Sequence, residues 1–350
     1  MKICIVTLYR TDNSGSYWQA KALGEVVAQL GHQVCYYKVN YISKLRVRDY
    51  LGLAKRIVTF DFCGGVRRIR SMWGFVQKRK ELNVISEKKI EKENVDCYIL
   101  GSDTIWNLDD NYIAKNADVF WGERFFGTRV ATYAASVANI SLEKCLQIKN
   151  IAQIISQWSM IGVRDSHTKA IISSLTDSPV EIVCDPTLLL TKSEYKKWAQ
   201  RLYPNRYVFL YLFEKMSSRQ IYELVSFCKK NNLSIINGLG SSYKIQCCDV
   251  QAINTPNDFL SHMYYAEFVI TDTFHGTVFS VNLQKDFVVI NREKKKVNDF
   301  LDQIEFGERL IKSKDSFLDI LEDKIDYVSK NKIVDSFRKK SLEYLAMTCK

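Results

Sequence analysis

The chain has 350 residues, 47% of them hydrophobic and 12% aromatic, with a net charge of +11; that is apolar material for two packed cores and too much length for one ordinary domain. Its ten cysteines lie singly in apolar runs apart from adjacent Cys247 and Cys248, which excludes a disulfide framework, a C-x-x-C redox pair and a cysteine zinc site. Met1-Lys2-Ile3 enters a strand without signal-peptide features, and no apolar run approaches the ~20 residues of a membrane span, so a reduced, cytoplasmic protein is expected.

Lys2 to Leu8 reads as a buried strand, the polar stretch from Tyr9 to Ser16 as a loop, Tyr17 to Leu30 as a helix stopped by Gly31, and Gln33 to Val39 as the next strand. This β–loop–α–β opening is the first unit of a doubly wound sheet, in which ligands sit beyond the carboxyl ends of strands. The loop carries one glycine, so it is not a dinucleotide fingerprint.

Between Lys44 and Lys92 fourteen Lys or Arg stand against five Asp or Glu, a local charge of +9. They are interleaved with Leu51, Ile57, Phe60, Trp73 and Phe75, as in helices lying on an anionic membrane. A solvated helical face is the alternative of equal weight. Nucleic acid is the competing anion, but no recognised nucleic-acid module accompanies the segment.

Asp96 to Leu100 and Arg129 to Ala135 read as buried strands, a helix runs from Leu142 to Trp158, and Met160 to Val163 and Val180 to Cys184 complete the strands of this half. Asn13, Asp103, Ser136 and Arg164 all follow strands, which places them on one rim. The pattern restarts near Tyr203-Pro204-Asn205-Arg206. Strands at Tyr207 to Phe213, Leu233 to Asn237, Phe268 to Ile270 and Phe287 to Ile290 alternate with helices at Ser217 to Asn231, Pro256 to Tyr265 and Gly276 to Leu283. Two charged helices follow from Asp315. The expected fold is α/β with two Rossmann-like domains, 1–203 and 204–312, and C-terminal helices over 313–350 that fold back on the first domain.

His275 sits between a buried strand and a helix start, where unpaired N–H groups, a positive dipole end and a permissive Gly276 suit a phosphorylated ligand; for a lone histidine, a cap or a packed ring is the commoner explanation. Asp103 is the acidic candidate of the first half, against a role capping the residues before Ile105-Trp106. The four histidines (His32, His167, His262, His275) show no paired spacing, so no metal site is expected.

Taken in order, Asp12-Asn13-Ser14-Gly15, the run from Gly101 to Asn107, Tyr133-Ala134-Ala135-Ser136, Gly162-Val163-Arg164-Asp165-Ser166, the run from Cys184 to Leu189 and Phe274-His275-Gly276-Thr277 resemble the polysaccharide pyruvyl transferase family. The resemblance implies a GT-B-like architecture with two domains facing across a cleft, the first on the acceptor side and the second on the donor side. It implies transfer of a pyruvyl unit from phosphoenolpyruvate, as co-substrate with no cofactor, to hydroxyls of a sugar in a bacterial-type cell-surface polysaccharide or its lipid-linked precursor, forming a ketal. His275 and Asp103 become the catalytic candidates. Arg164, Asn13, Gly15, Ser16, Asn107, Ser136, Thr273, Gly276 and Thr277 become the binding candidates, with Arg164 expected to clamp the donor and Asp165 or Asp185 as its alternative ion-pair partners. Asp272 is a candidate for orienting His275. Many members carry Arg where this chain has Thr273. The competing readings are a glycosyltransferase using a nucleotide sugar on the same architecture and a non-catalytic glycan-binding relative.

Overall fold

In the computed structural model the described residues are 1–9, 12–39, 62–90, 92–238, 253–291, 295–312 and 315–350. Much of the basic segment, 40–61, lies outside them.

Seven strands form the first sheet: β1 (Lys2–Val6), β2 (Gln33–Tyr37), β3 (Val84–Ile85), β4 (Cys97–Asp103), β5 (Arg129–Ala135), β6 (Trp158–Val163) and β7 (Val180–Ile182). They pair in parallel in the order β3-β2-β1-β4-β5-β6-β7. Every residue of β4 is buried, as continuous apolar strands must be when helices cover both faces of a parallel sheet. Five strands form the second sheet: β8 (Tyr207–Tyr211), β9 (Ser234–Asn237), β10 (Phe268–Thr271), β11 (Asp286–Asn291) and β12 (Leu310–Lys312). Their order is β12-β11-β10-β8-β9, again all parallel.

Chain direction reverses its sideways progress once in each sheet, between β1 and β4 in the first and between β8 and β10 in the second. At such a switch point neighbouring loops diverge to opposite faces and leave a crevice beyond the carboxyl ends of the strands.

Contacts divide the chain at Leu189 and Leu190, fourteen residues before the expected boundary at 203. The first unit comprises 1–54, 77–189 and 336–350, and the second 55–76 and 190–335. The segment 44–92 is therefore shared, and the last helix, Tyr327–Thr348, belongs to the first unit from Ser336 onward. There Tyr344 donates to the Thr132 carbonyl at 3.0 Å, and Ser341 accepts from the Cys184 amide at 2.9 Å. Gly162 on β6 makes this possible, since a Cβ at that position would stand 2.7 Å from the Tyr344 ring.

Candidate active site

In the first unit, Asn13 caps the helix Ser14–Gln29 by accepting from the Gly15 and Ser16 amides at 2.8 and 3.4 Å. The helix thus starts three residues before the expected Tyr17, and Gly15 and Ser16 lie in its first turn rather than in a loop. The cap aims the Ser16 hydroxyl at Asp103, to which it donates at 2.8 Å. Asp103 closes β4 with φ 70°, a left-handed backbone that costs of order 1–3 kcal/mol in a residue with a side chain and persists where surroundings enforce it. Its other carboxylate oxygen accepts from the Thr104 amide at 2.9 Å. Residues from the ends of β1 and β4 therefore meet at the switch point of the sheet.

Arg164 directly follows β6, with its side chain only 2% exposed. Its Nη1 lies 3.3 Å from Asp185 Oδ2 and 3.8 Å from Asp103 Oδ1. Asp185 is fully enclosed and also accepts from the amide and hydroxyl of Thr187 and from the Ser102 hydroxyl. The guanidinium expected to clamp the donor is thus buried beside two carboxylates, whose charge it offsets. Of these three groups Asp103 is the outermost, at 12% side-chain exposure. Ser136 is buried, donating to Asp165 at 2.6 Å, while Asp165 caps the helix Ser166–Ser173. Asn107 lies in the turn after β4, where it accepts from the Asp109 amide at 3.3 Å.

In the second unit His275 is half-buried within the first turn of the helix Phe274–Asn282, which starts two residues before the expected Gly276, with its ring edge-on to Phe274 at 5.4 Å. Thr273 is the cap of that helix and accepts from the Gly276 amide at 2.9 Å. The Thr277 hydroxyl donates to the Thr273 carbonyl at 2.8 Å. A Cβ at Gly276 would collide with Thr271 Oγ1 and stand 2.6 Å from Thr273 Oγ1. Gly276 therefore admits the neighbouring threonines, and the Gly276 amide and Thr277 hydroxyl are engaged within the turn. The Asp272 carboxylate accepts from the Phe213 and Glu214 amides at 2.9 and 3.1 Å, tying the loop after β8 to the loop after β10 across the second switch point. A cation that sequence reasoning missed, Lys296 on the helix Lys295–Gln303, stands 5.9 Å from the Phe274 ring centre. Its signal was the basic run Lys294-Lys295-Lys296, which no motif singled out.

Lys285, which immediately precedes β11, also falls outside the motifs. Its ammonium donates to the Ala266 carbonyl at 2.9 Å, and burial, aided by nearby Lys192, pulls its pKa down to about 8.

Solved structures share this architecture. UDP-GlcNAc 2-epimerase from Methanocaldococcus jannaschii aligns with a TM-score of 0.57 at 11% identity over 93% of both chains. The Neisseria meningitidis UDP-GlcNAc 2-epimerase bound to UDP-GlcNAc aligns with a TM-score of 0.52 at 13% identity over 99% of both. Likeness at this identity establishes the fold, GT-B-like α/β with parallel sheets and C-terminal helices, and nothing finer. A comparison with curated protein sequences finds no match. The family model for polysaccharide pyruvyl transferase matches residues 13–294, a stretch that runs from the Asn13 cap through Asp103 and Arg164 to His275 and Lys285, so the chain belongs to the polysaccharide pyruvyl transferase family and is a transferase with a pyruvyl-transfer role.

Proposed function

We propose that the chain transfers the pyruvyl unit of phosphoenolpyruvate to two hydroxyls of one sugar residue in a polysaccharide or its lipid-linked precursor, leaving a ketal and inorganic phosphate. A proton added to the methylene carbon of the donor creates an oxocarbenium-like centre at C2, which one hydroxyl attacks while losing its proton to a base. Cleavage of the C2–O bond then expels phosphate, and the second hydroxyl closes the ketal with loss of its own proton. The reaction calls for an acid near the donor and a base near the sugar.

The observation that carries this reading is the carboxylate of Asp103, held at the β1/β4 switch point by Ser16 and Arg164. A carboxylate held there can accept hydrogen bonds and a proton from the hydroxyls of an acceptor sugar. Asp103 is accordingly the base or the clamp on the acceptor, with Asn13, Gly15 and Ser16 shaping that edge. His275 is the acid, and Lys296, 5.9 Å from the ring of neighbouring Phe274, offers a charge for the donor phosphate. Arg164 acts in this scheme through Asp103 rather than on the donor.

The test is phosphate release from phosphoenolpyruvate on addition of lipid-linked or nucleotide-linked sugars, with the ketal methyl group followed by NMR. Release of UDP from UDP-GlcNAc with no phosphate release would favour a glycosyltransferase, the reading to which the fold likeness to UDP-GlcNAc enzymes lends itself. Ligand binding without either product would favour a glycan-binding protein.

A further inference from the structure

The helix Phe62–Arg79 carries Val66, Ile69, Trp73 and Val76 with exposures of 50, 51, 66 and 43%. Four of the thirteen large apolar side chains exposed among the described residues thus fall on one stretch of eleven residues. Their spacing of three, four and three puts them on a single face of the helix. The helix is held from another side. Phe75 is buried at 2% exposure, and a Cβ at Gly74 would collide with the Asn254 carbonyl, so the backbone lies directly on its neighbour there. The outward seam is therefore a fixed surface of the fold.

Two occupants suit a continuous apolar seam, the same seam on a second copy or the interfacial layer of a membrane. Charge decides between them. The helix holds five basic residues, Arg67, Arg68, Arg70, Lys78 and Arg79, and no acidic one, and Arg70 is exposed among the seam residues. Two of the five are balanced within the fold, Lys78 by Glu81 at 2.7 Å and Arg79 by Asp12 at 3.5 Å; pairing two such helices would still bring six further positive charges together, from Arg67, Arg68 and Arg70 of each, whereas an anionic bilayer offers phosphates for these groups and acyl chains for the seam. A nucleic acid would use the charges and leave the apolar seam in water. Among the described residues no helix is long and apolar enough to cross a membrane, so contact of this kind lies along the surface.

We propose that the exposed face Val66-Ile69-Trp73-Val76 docks the protein onto an anionic lipid surface. It narrows the basic segment 44–92 to one helix face, and it stands independently of the donor and acceptor assignments. Burying side chains of this size changes partitioning by about tenfold each.

The test is sedimentation of the full chain with vesicles of phosphatidylcholine alone and with about one third phosphatidylglycerol, at low and high salt. Ile69→Ser and Trp73→Ser serve as seam variants, and melting temperature and solution mass are measured in parallel. The expected result is binding to the anionic vesicles only, weakened by salt, and lost tenfold or more in each variant at unchanged melting temperature and mass. Equal binding to neutral vesicles, no vesicle binding, or variants that bind like the parent would each overturn the proposal. A parent that is dimeric and variants that are monomeric would assign the seam to a second copy. Retention of an oligonucleotide in preference to vesicles, unchanged by the seam variants, would assign the charge to nucleic acid. Phosphate release with a short, water-soluble acceptor is measured on the same variants, so failure of the docking surface and failure of the reaction are read separately.

Discussion

The Ser16 hydroxyl donates to the Asp103 carboxylate at 2.8 Å, joining the first turn after β1 to the end of β4. The bond spans the switch point of the seven-stranded sheet, and each partner is otherwise held by its own backbone, Ser16 through the Asn13 cap and Asp103 through its left-handed conformation. Ser16→Ala removes a hydrogen bond to a charged group, an interaction of roughly 1.5–3 kcal/mol. We expect about a ten- to hundredfold fall in kcat/KM for the acceptor, with the constant for phosphoenolpyruvate nearly unchanged. An effect confined to the donor constant would move this cluster to the other substrate.

Asp103→Asn retains a residue type tolerant of the left-handed region and removes the proton acceptor. Turnover should drop by about 10²–10⁴ while the melting temperature stays within a few degrees. Circular dichroism melting beside the phosphate-release assay checks both halves of that statement. If the variant keeps its turnover, Asp103 is a structural residue of the strand end.

Arg164→Ala should act mainly on stability. Removing the partner of a buried carboxylate typically costs about 3–5 kcal/mol, and Asp185 has no exposure with which to recover by solvation. Denaturant unfolding measures the loss. Arg164→Lys, which keeps the charge, should recover part of it. A stable Arg164→Ala protein with a raised KM for phosphoenolpyruvate would instead support the donor-clamp role read from the sequence.

His275→Ala should fold normally and lose about 10²–10⁴ in turnover, since the residue is half-buried in the first turn of a helix. His275→Asn retains hydrogen bonding without proton transfer and should be nearly as slow. Lys296→Ala should leave turnover at saturation and raise the KM for phosphoenolpyruvate severalfold to tenfold, as expected for a half-exposed charge near a phosphate. Steady-state kinetics in both substrates separate the two residues.

Lys285 predicts a dependence of stability on pH. Its pKa is lowered from the ordinary lysine value of 10.5 to about 8 in the folded protein. Between those values the unfolded chain binds the extra proton, so the contribution of this group to stability rises with pH across that window and is least favourable below pH 8. At pH 7 the charged ammonium costs the fold roughly 1–3 kcal/mol. Lys285→Met should raise the melting temperature at pH 7 and flatten its rise between pH 8 and 9.5. Parent and variant melting curves that run parallel over that range would show that the ammonium is not desolvated.

Much of the fold was legible because apolar runs ending in polar residues mark parallel strands, and β5 and the helix Pro256–Tyr265 begin and end where their sequence patterns do. Boundaries slipped where a cap or a backbone exception decides them. Asn13 recruits three more residues into its helix, and Asn150, at φ 58°, breaks the expected helix from Leu142 into two short ones. The edge strands β3 and β12 have two and three residues, too few to carry a period, and were missed. Of the candidate site, the common rim for Asp103, Ser136 and Arg164 was readable from strand ends. That Arg164 lies buried beside Asp185 was not, since which side chain meets Asp185 depends on the order of strands across the sheet, and pattern along the chain carries no such order.

The docking of Tyr344 against Gly162 bears on the order of events during synthesis. The first unit takes its final helical segment from residues 336–350, so a growing chain can complete the second unit while the first still exposes the surface of β5 and β6 that Tyr344 will cover and the Cys184 amide that Ser341 will bind. A ribosome-bound chain arrested with residue 335 just outside the exit tunnel should show a protease-resistant second unit and a first unit that is still cut, becoming resistant once residue 348 has emerged. The amino-terminal half is thus made first and finished last.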